Sequence, residues 1–162
     1  MDNYLVLKMI HVLSSMVLIG TGAGIAFFML MASRSGNSQG ILMTANNVVM
    51  ADWIFTAPAV IVQLISGLLL MQLLGYSYTS PWFVSVISLF VLIGCCWMPV
   101  VWIQYKLRSL AEGLIVAEGS HYDLLVQQFR TWMRVWMLLG IPAFMSIIMI
   151  LYLMIFKPIA VI

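Results

Sequence analysis

Four long apolar runs, roughly Tyr4–Met31, Val48–Leu74, Trp82–Tyr105 and Val135–Phe156, decide what this chain can become. A helix needs about 20 apolar residues to cross the hydrocarbon core of a bilayer, and each run is long enough. The expected fold is an all-α integral membrane four-helix bundle, one four-span domain over residues 1–162. With 64% hydrophobic and 7% charged residues, an ordinary water-facing surface is out of reach, and the lipid bilayer is the expected partner. A formal charge of +2 on scattered basic residues, with the aromatics lying in apolar runs, gives no nucleic-acid footprint. The two cysteines are the neighbours Cys95 and Cys96, which point about 100° apart on a helix and offer neither a disulfide framework nor a zinc motif. The first run is too long for a signal-peptide core, and Asp2 stands where a basic segment would precede one, so it is expected to remain as a helix.

The first two connections, "SRSGNSQG" and "GYSYTSP", are short polar turns that imply antiparallel neighbours. The third holds most of the charge, and within it Tyr122, Leu125, Val126, Phe129 and Met133 recur at helical spacing. Helices three and four are therefore expected to run past the bilayer as an amphipathic hairpin, with Ser120 and Asp123 capping the second arm after Gly119. Arg34, Lys106, Arg108, Arg130 and Arg134 flank the spans on the hairpin side, against Lys8 and Lys157 on the other. The positive-inside rule then puts the hairpin in the cytoplasm of a bacterial inner membrane and both termini in the periplasm. Tyr4 and Trp82 fit the outer aromatic belt, Tyr105 and Trp132 the inner one.

The polar residues within the spans are the candidates for function. Lys8, His11, Ser15, Leu18 and Gly22 form a narrow stripe expected to face protein. Lys8 can snorkel to the interface as an anchor. His11 lies deeper and needs either a hydrogen bond from a serine or glutamine on a neighbouring helix or a metal, and neutral imidazole is a common haem-iron ligand. His121 lies on the opposite side and cannot share a porphyrin with it, whereas Met149 on the outward-running fourth helix is expected near its depth as a sixth ligand. On the second helix Asp52, Thr56, Ala59, Gln63 and Gly67 share one inward face. Gln63 can reach His11, a cofactor edge or another helix. Asp52, at the start of its helix, favours the positive end of the dipole and can pair with Arg34, Arg130 or Arg134. Gly20 and Gly24 have the GxxxG spacing that lets helices approach closely. Pro58, Pro99 and Pro142 are expected to bend three spans.

"LKMIHVLSSMVLIGTGAG", "SRSGN", "ADWIFTAPAVIVQLISGLLL", "FRTWMRVWMLLGIPAF" and the terminal "KP" together resemble a bacterial family of predicted integral membrane proteins of unknown function, over nearly the whole chain. The matching positions are His11, Arg34, Asp52, Trp53, Thr56, Pro58, Gly67, Trp136, Gly140, Lys157 and Pro158. More distantly, a lysine then a histidine early in the first of four spans is similar to the membrane protoporphyrinogen IX oxidases that carry b-type haem. That resemblance carries only His11 across, and helices two and three here lack the deeper basic residues that suit porphyrin carboxylates, a departure that bears on the oxidase activity more than on haem binding. Three functional expectations follow. The first is a b-type haem protein with an electron-transfer or porphyrin-related role, bound through His11 with Gln63 and Met149. The second is a cofactor-free accessory or assembly subunit, acting as a homo-oligomer or in a membrane complex. The third is a small transporter or channel.

Overall fold

The structure is a computed structural model, all-helical over residues 2–157, the residues described below. Helix α1 spans Asp2–Ser35, α2 Ser38–Ala51, α3 Ala57–Leu73, α4 Pro81–Val116 and α5 Gly119–Phe156. A five-residue π-turn, Asp52–Thr56, joins α2 to α3, so the two form one continuous rod. Four rods are long and apolar enough to cross a membrane, which establishes a multi-pass integral membrane four-helix bundle.

Local chemistry explains the boundaries. Gly36 takes φ 70° and Asn37 accepts from the backbone N–H groups of Gln39 and Gly40, so the first turn closes in two residues. Ser80 caps α4 by accepting from the Phe83 N–H, and Pro81 occupies the first helical position, where its missing N–H is harmless. The expected Ser120 cap is not formed: α5 begins at Gly119, with φ 58°, and Glu118 holds the cap position in extended conformation, leaving Ser120 inside the first turn. The π-turn lies directly before Pro58, whose ring would collide with the Ile54 carbonyl in a regular helix; the wider turn makes room for it. Pro99 and Pro142 sit within α4 and α5, which continue through them. The Pro158 of the terminal Lys157–Pro158 pair lies outside the described residues.

Aromatic residues mark two levels. Trp82 and Trp102 on α4, like Trp132 and Tyr152 on α5, are twenty residues apart, about 30 Å along a helix and equal to a hydrocarbon core. The level near the α1–α2 and α4–α5 connections is tied across rods: Trp53 Nε1 donates to the Tyr105 hydroxyl at 2.7 Å, and the rings of Trp102 and Trp132 meet edge to face at 5.2 Å. At the other level Trp82 Nε1 donates to the Leu153 carbonyl at 2.8 Å, and the Lys157 ammonium sits 5.0 Å from the Tyr76 ring centre and 3.2 Å from its hydroxyl. Trp82→Phe removes that hydrogen bond together with part of a buried ring, so it is expected to lower stability in detergent by at least about 1 kcal/mol in an unfolding titration.

Beyond Trp53, Trp102 and Trp132 all four rods continue, α4 and α5 by some fourteen residues, or about 20 Å. This projecting head holds the main core: Ile25 and Met29 of α1, Ile41, Ala45 and Val48 of α2, Ile103, Leu107, Leu110 and Ala111 of α4, and Phe129 and Met133 of α5. The expected hairpin of the last two helices is therefore half of a four-helix head. The other half was hidden in "ILMTANN", which continues the second span as α2.

Within the membrane the packing is looser. α1 lies against α3 and α4 against α5, and among the described residues no extensive contact joins α3 to α4. A narrow cleft between the two pairs results. It is shut near the termini by Met71, Trp82 and Leu153.

Candidate functional site

His11 stands at this cleft. Its Nδ1 is 2.8 Å from Ser66 Oγ and its Nε2 is 3.0 Å from Gln63 Nε2, while Ser14 Oγ donates to Gln63 Oε1 and Ser66 Oγ donates to the Val62 carbonyl at 2.6 Å. Every proton in this chain has a place. Ser66 gives its own to Val62 and accepts from His11 Nδ1–H; His11 Nε2 accepts from the Gln63 amide; Gln63 Oε1 accepts from Ser14. Turning the Gln63 amide over reverses the donors, with Ser14 then giving its proton to the His11 carbonyl 2.9 Å away. In both arrangements both imidazole nitrogens are engaged.

α1 and α3 supply these residues, and their fit depends on Gly67. A Cβ at that position would stand 3.2 Å from His11 Cε1, so glycine lets the ring lie against the α3 backbone. The α3 face is the expected one: Thr56 and Ala59 are buried, and Gln63 and Gly67 turn toward α1. The α1 stripe is turned by about 50° from its expected position. Ser14 rather than Ser15 is buried, with Ile25 and Met29 further along, whereas Lys8 and Gly22 are exposed. Lys8 lies 5.7 Å from the Tyr4 ring at the membrane edge, as an anchor would.

Met149 is not with His11. It is 50% exposed on the outer side of α5, whereas Ile150 and Met154 of that helix line the cleft. The depth estimate ignored rotation: Met149 is one residue, about 100°, from the inward position that Ile150 holds. The cleft, completed by Leu64, Leu68, Phe83, Val86, Ile87 and Phe90, encloses about 70 Å³, room for a few water molecules and well below the roughly 300 Å³ of a small organic-ligand pocket. A wider groove of about 340 Å³ lies between α1 and the π-turn, lined by Leu13, Val17, Phe55 and Pro58 with Ser14 as its one polar group; its exposed apolar rim suits lipid.

The ion pairs expected between Asp52 and Arg34, Arg130 or Arg134 are not formed. Among the described residues the only salt bridge is Arg108–Glu112, at 3.3 Å. Asp52 is not at the start of its rod, which begins fourteen residues earlier, so no free helix N-terminus faces it. Its carboxylate turns into the bundle, while the three arginines lie on the outside of the head. Sequence reasoning also missed Ser14 and Ser66; both sit one helical step from a residue it selected, a serine signal too common to single them out.

Among the described residues no group of three or more His, Cys, Asp or Glu side chains converges on a metal position. No curated protein and no solved structure matches the chain significantly, and no likeness to the protoporphyrinogen IX oxidases is found. A family model, "Predicted integral membrane protein (DUF2269)", matches residues 5–158. By that match over nearly its whole length, the chain belongs to the DUF2269 family of predicted integral membrane proteins.

Proposed function

We propose that this protein is a cofactor-free accessory or assembly subunit of a membrane complex, with its head in the bacterial cytoplasm and its termini across the inner membrane. The observation that carries this reading is the engagement of both His11 nitrogens by Ser66 and Gln63. The histidine then acts as a clasp that fixes α1 against α3, each polar contact between helices in lipid contributing about 0.6 kcal/mol. Gly20 and Gly24 supply the contact for a neighbouring transmembrane helix. A Cβ at either position meets nothing within 4 Å, so their spacing serves no packing among the described residues.

A b-type haem bound through His11 is the second reading, favoured by Met154 bordering the same cleft. Haem would supply one-electron chemistry. The residues as arranged do not fit it: His11 would have to release Gln63 or Ser66, and the cleft would have to open several-fold.

One purification tests both readings. Protein from haem-replete cells is expected to show no Soret band in mild detergent, oxidised or dithionite-reduced. Gly20→Leu, whose added Cβ meets nothing within 4 Å among the described residues, is expected to abolish cross-linking to neighbours in the membrane, while His11→Ala retains it. A Soret band that His11→Ala removes would select the haem reading, and a cross-linking pattern unchanged by Gly20→Leu would reject docking through this face.

A further inference from the structure

Charge is sorted along the axis of the head. The exposed carboxylates Glu112, Glu118 and Asp123 stand toward its tip, nine or more residues along their rods from Trp102 or Trp132, or about 13 Å and more. At the base, within four residues of those indoles, the exposed charges of α4 and α5 are Lys106, Arg130 and Arg134, all cationic. Among the described residues the only salt bridge is Arg108–Glu112, so none of these three is paired with a described carboxylate.

Arg130 and Arg134 are four residues apart on α5, two on either side of Trp132. They therefore share one face, roughly 6 Å apart at Cβ, and straddle the aromatic level at which lipid headgroups lie. A guanidinium is a planar fork that grips phosphate oxygens in pairs. Like charges one helical turn apart repel, and an anion between them removes that repulsion. Toward the membrane the same face continues as Leu138, Ile141, Met145 and Ile148, at helical spacing and all exposed. Arg134 to Met145 is eleven residues, about 16 Å, which is the depth of one leaflet's hydrocarbon. One stripe of α5 thus offers two cationic forks at headgroup depth and an apolar track one leaflet long, the two parts of an acidic phospholipid.

We propose that Arg130 and Arg134 bind the phosphate of an acidic glycerophospholipid such as phosphatidylglycerol, whose acyl chain lies along Leu138, Ile141 and Met145. The bound lipid holds the base of the head at the membrane surface. The site stands apart from the His11 clasp and does not depend on the accessory role proposed above.

Thermal unfolding of the full chain in mild detergent, with phosphatidylglycerol, phosphatidylcholine or inorganic phosphate added at matched ionic strength, tests this. The midpoint is expected to rise with phosphatidylglycerol well beyond its rise with phosphatidylcholine, as for any ligand that binds only the folded state. Arg130→Gln and Arg134→Gln are each expected to weaken the apparent affinity for phosphatidylglycerol about fivefold, and the double substitution to reduce its effect to that of phosphatidylcholine. Arg134→Lys keeps the charge without the fork and is expected to lose part of the affinity. Arg108→Gln removes a cation already paired with Glu112 and is expected to leave it unchanged. Should the double variant not fold, the wild-type lipid series and the single substitutions still decide. Equal midpoints in the two lipids, or a full response in the double variant, would overturn the proposal. So would an equal rise with inorganic phosphate, which would mean an anion site without a lipid. A loss with Arg108→Gln as large as with Arg134→Gln would mean diffuse charge attraction and overturn it too.

Discussion

Leu107→Ala is expected to destabilise the protein by about 3 kcal/mol, whereas Leu69→Ala, in the membrane half, is expected to change stability by less than about 0.5 kcal/mol. The two deletions remove the same atoms, and what differs is the medium. Leu107 is fully buried in the head, among Ile103, Leu110, Ala111 and Phe129. Unfolding the head exposes that side chain to water, so its truncation loses the transfer free energy and leaves a cavity besides. Leu69 is 45% exposed on α3, where lipid replaces protein neighbours at little change in free energy. Reversible unfolding titrations of both variants in one detergent measure the contrast. Equal losses would mean that the aromatic levels misplace the membrane and that the head is not in water.

That contrast also shows why some of this fold was legible in the sequence. Hydropathy alone finds a span, because the bilayer demands a continuous apolar run whatever the tertiary structure. Helical periodicity found the α5 arm through Leu125, Phe129 and Met133, where one face meets water and the other a core. α2 escaped because "ILMTANN" buries only Ile41 and Ala45, too few apolar residues to read as periodic. Inside the membrane, periodicity weakens as a guide, since lipid-facing and protein-facing residues are equally apolar. Polar and small residues then carry the information, and they placed Thr56, Gln63 and Gly67 on one inward face of the second rod. They misjudged α1 by half a helical step, because Ser14 and Ser15 are chemically identical and only packing selects between them. Met149 and Met154 pose the same ambiguity on α5.

The π-turn and the solitude of Asp52 were illegible for another reason. Pro58 announces a disturbed helix without saying whether it will kink or widen. An aspartate expected at the same end of the bundle as several arginines reads as an ion pair. The rods place those arginines on the outer surface of the head and the carboxylate within it.

Cysteine labelling of the two ends of the bundle is expected to be nearly all-or-none. In a background with Cys95 and Cys96 replaced by alanine, Val116→Cys stands at the tip of the head, 82% exposed, and Ser77→Cys lies in the exposed α3–α4 turn at the opposite end. A membrane-impermeant maleimide should modify Val116→Cys only when it reaches the cytoplasmic face, and Ser77→Cys only from the other face. The physical reason is the distribution of charge. Arg34, Lys106, Arg108, Arg130 and Arg134 crowd the head and its base, while Lys8 and Lys157 are the only basic residues at the terminal end. Moving the head across a membrane would carry those five cations and the acidic Glu112, Glu118 and Asp123 through hydrocarbon. Lys157 adds a smaller argument: held over Tyr76 and Trp82, its ammonium rests among interfacial aromatics and need not cross. The reverse labelling pattern would invert the orientation and leave the fold untouched.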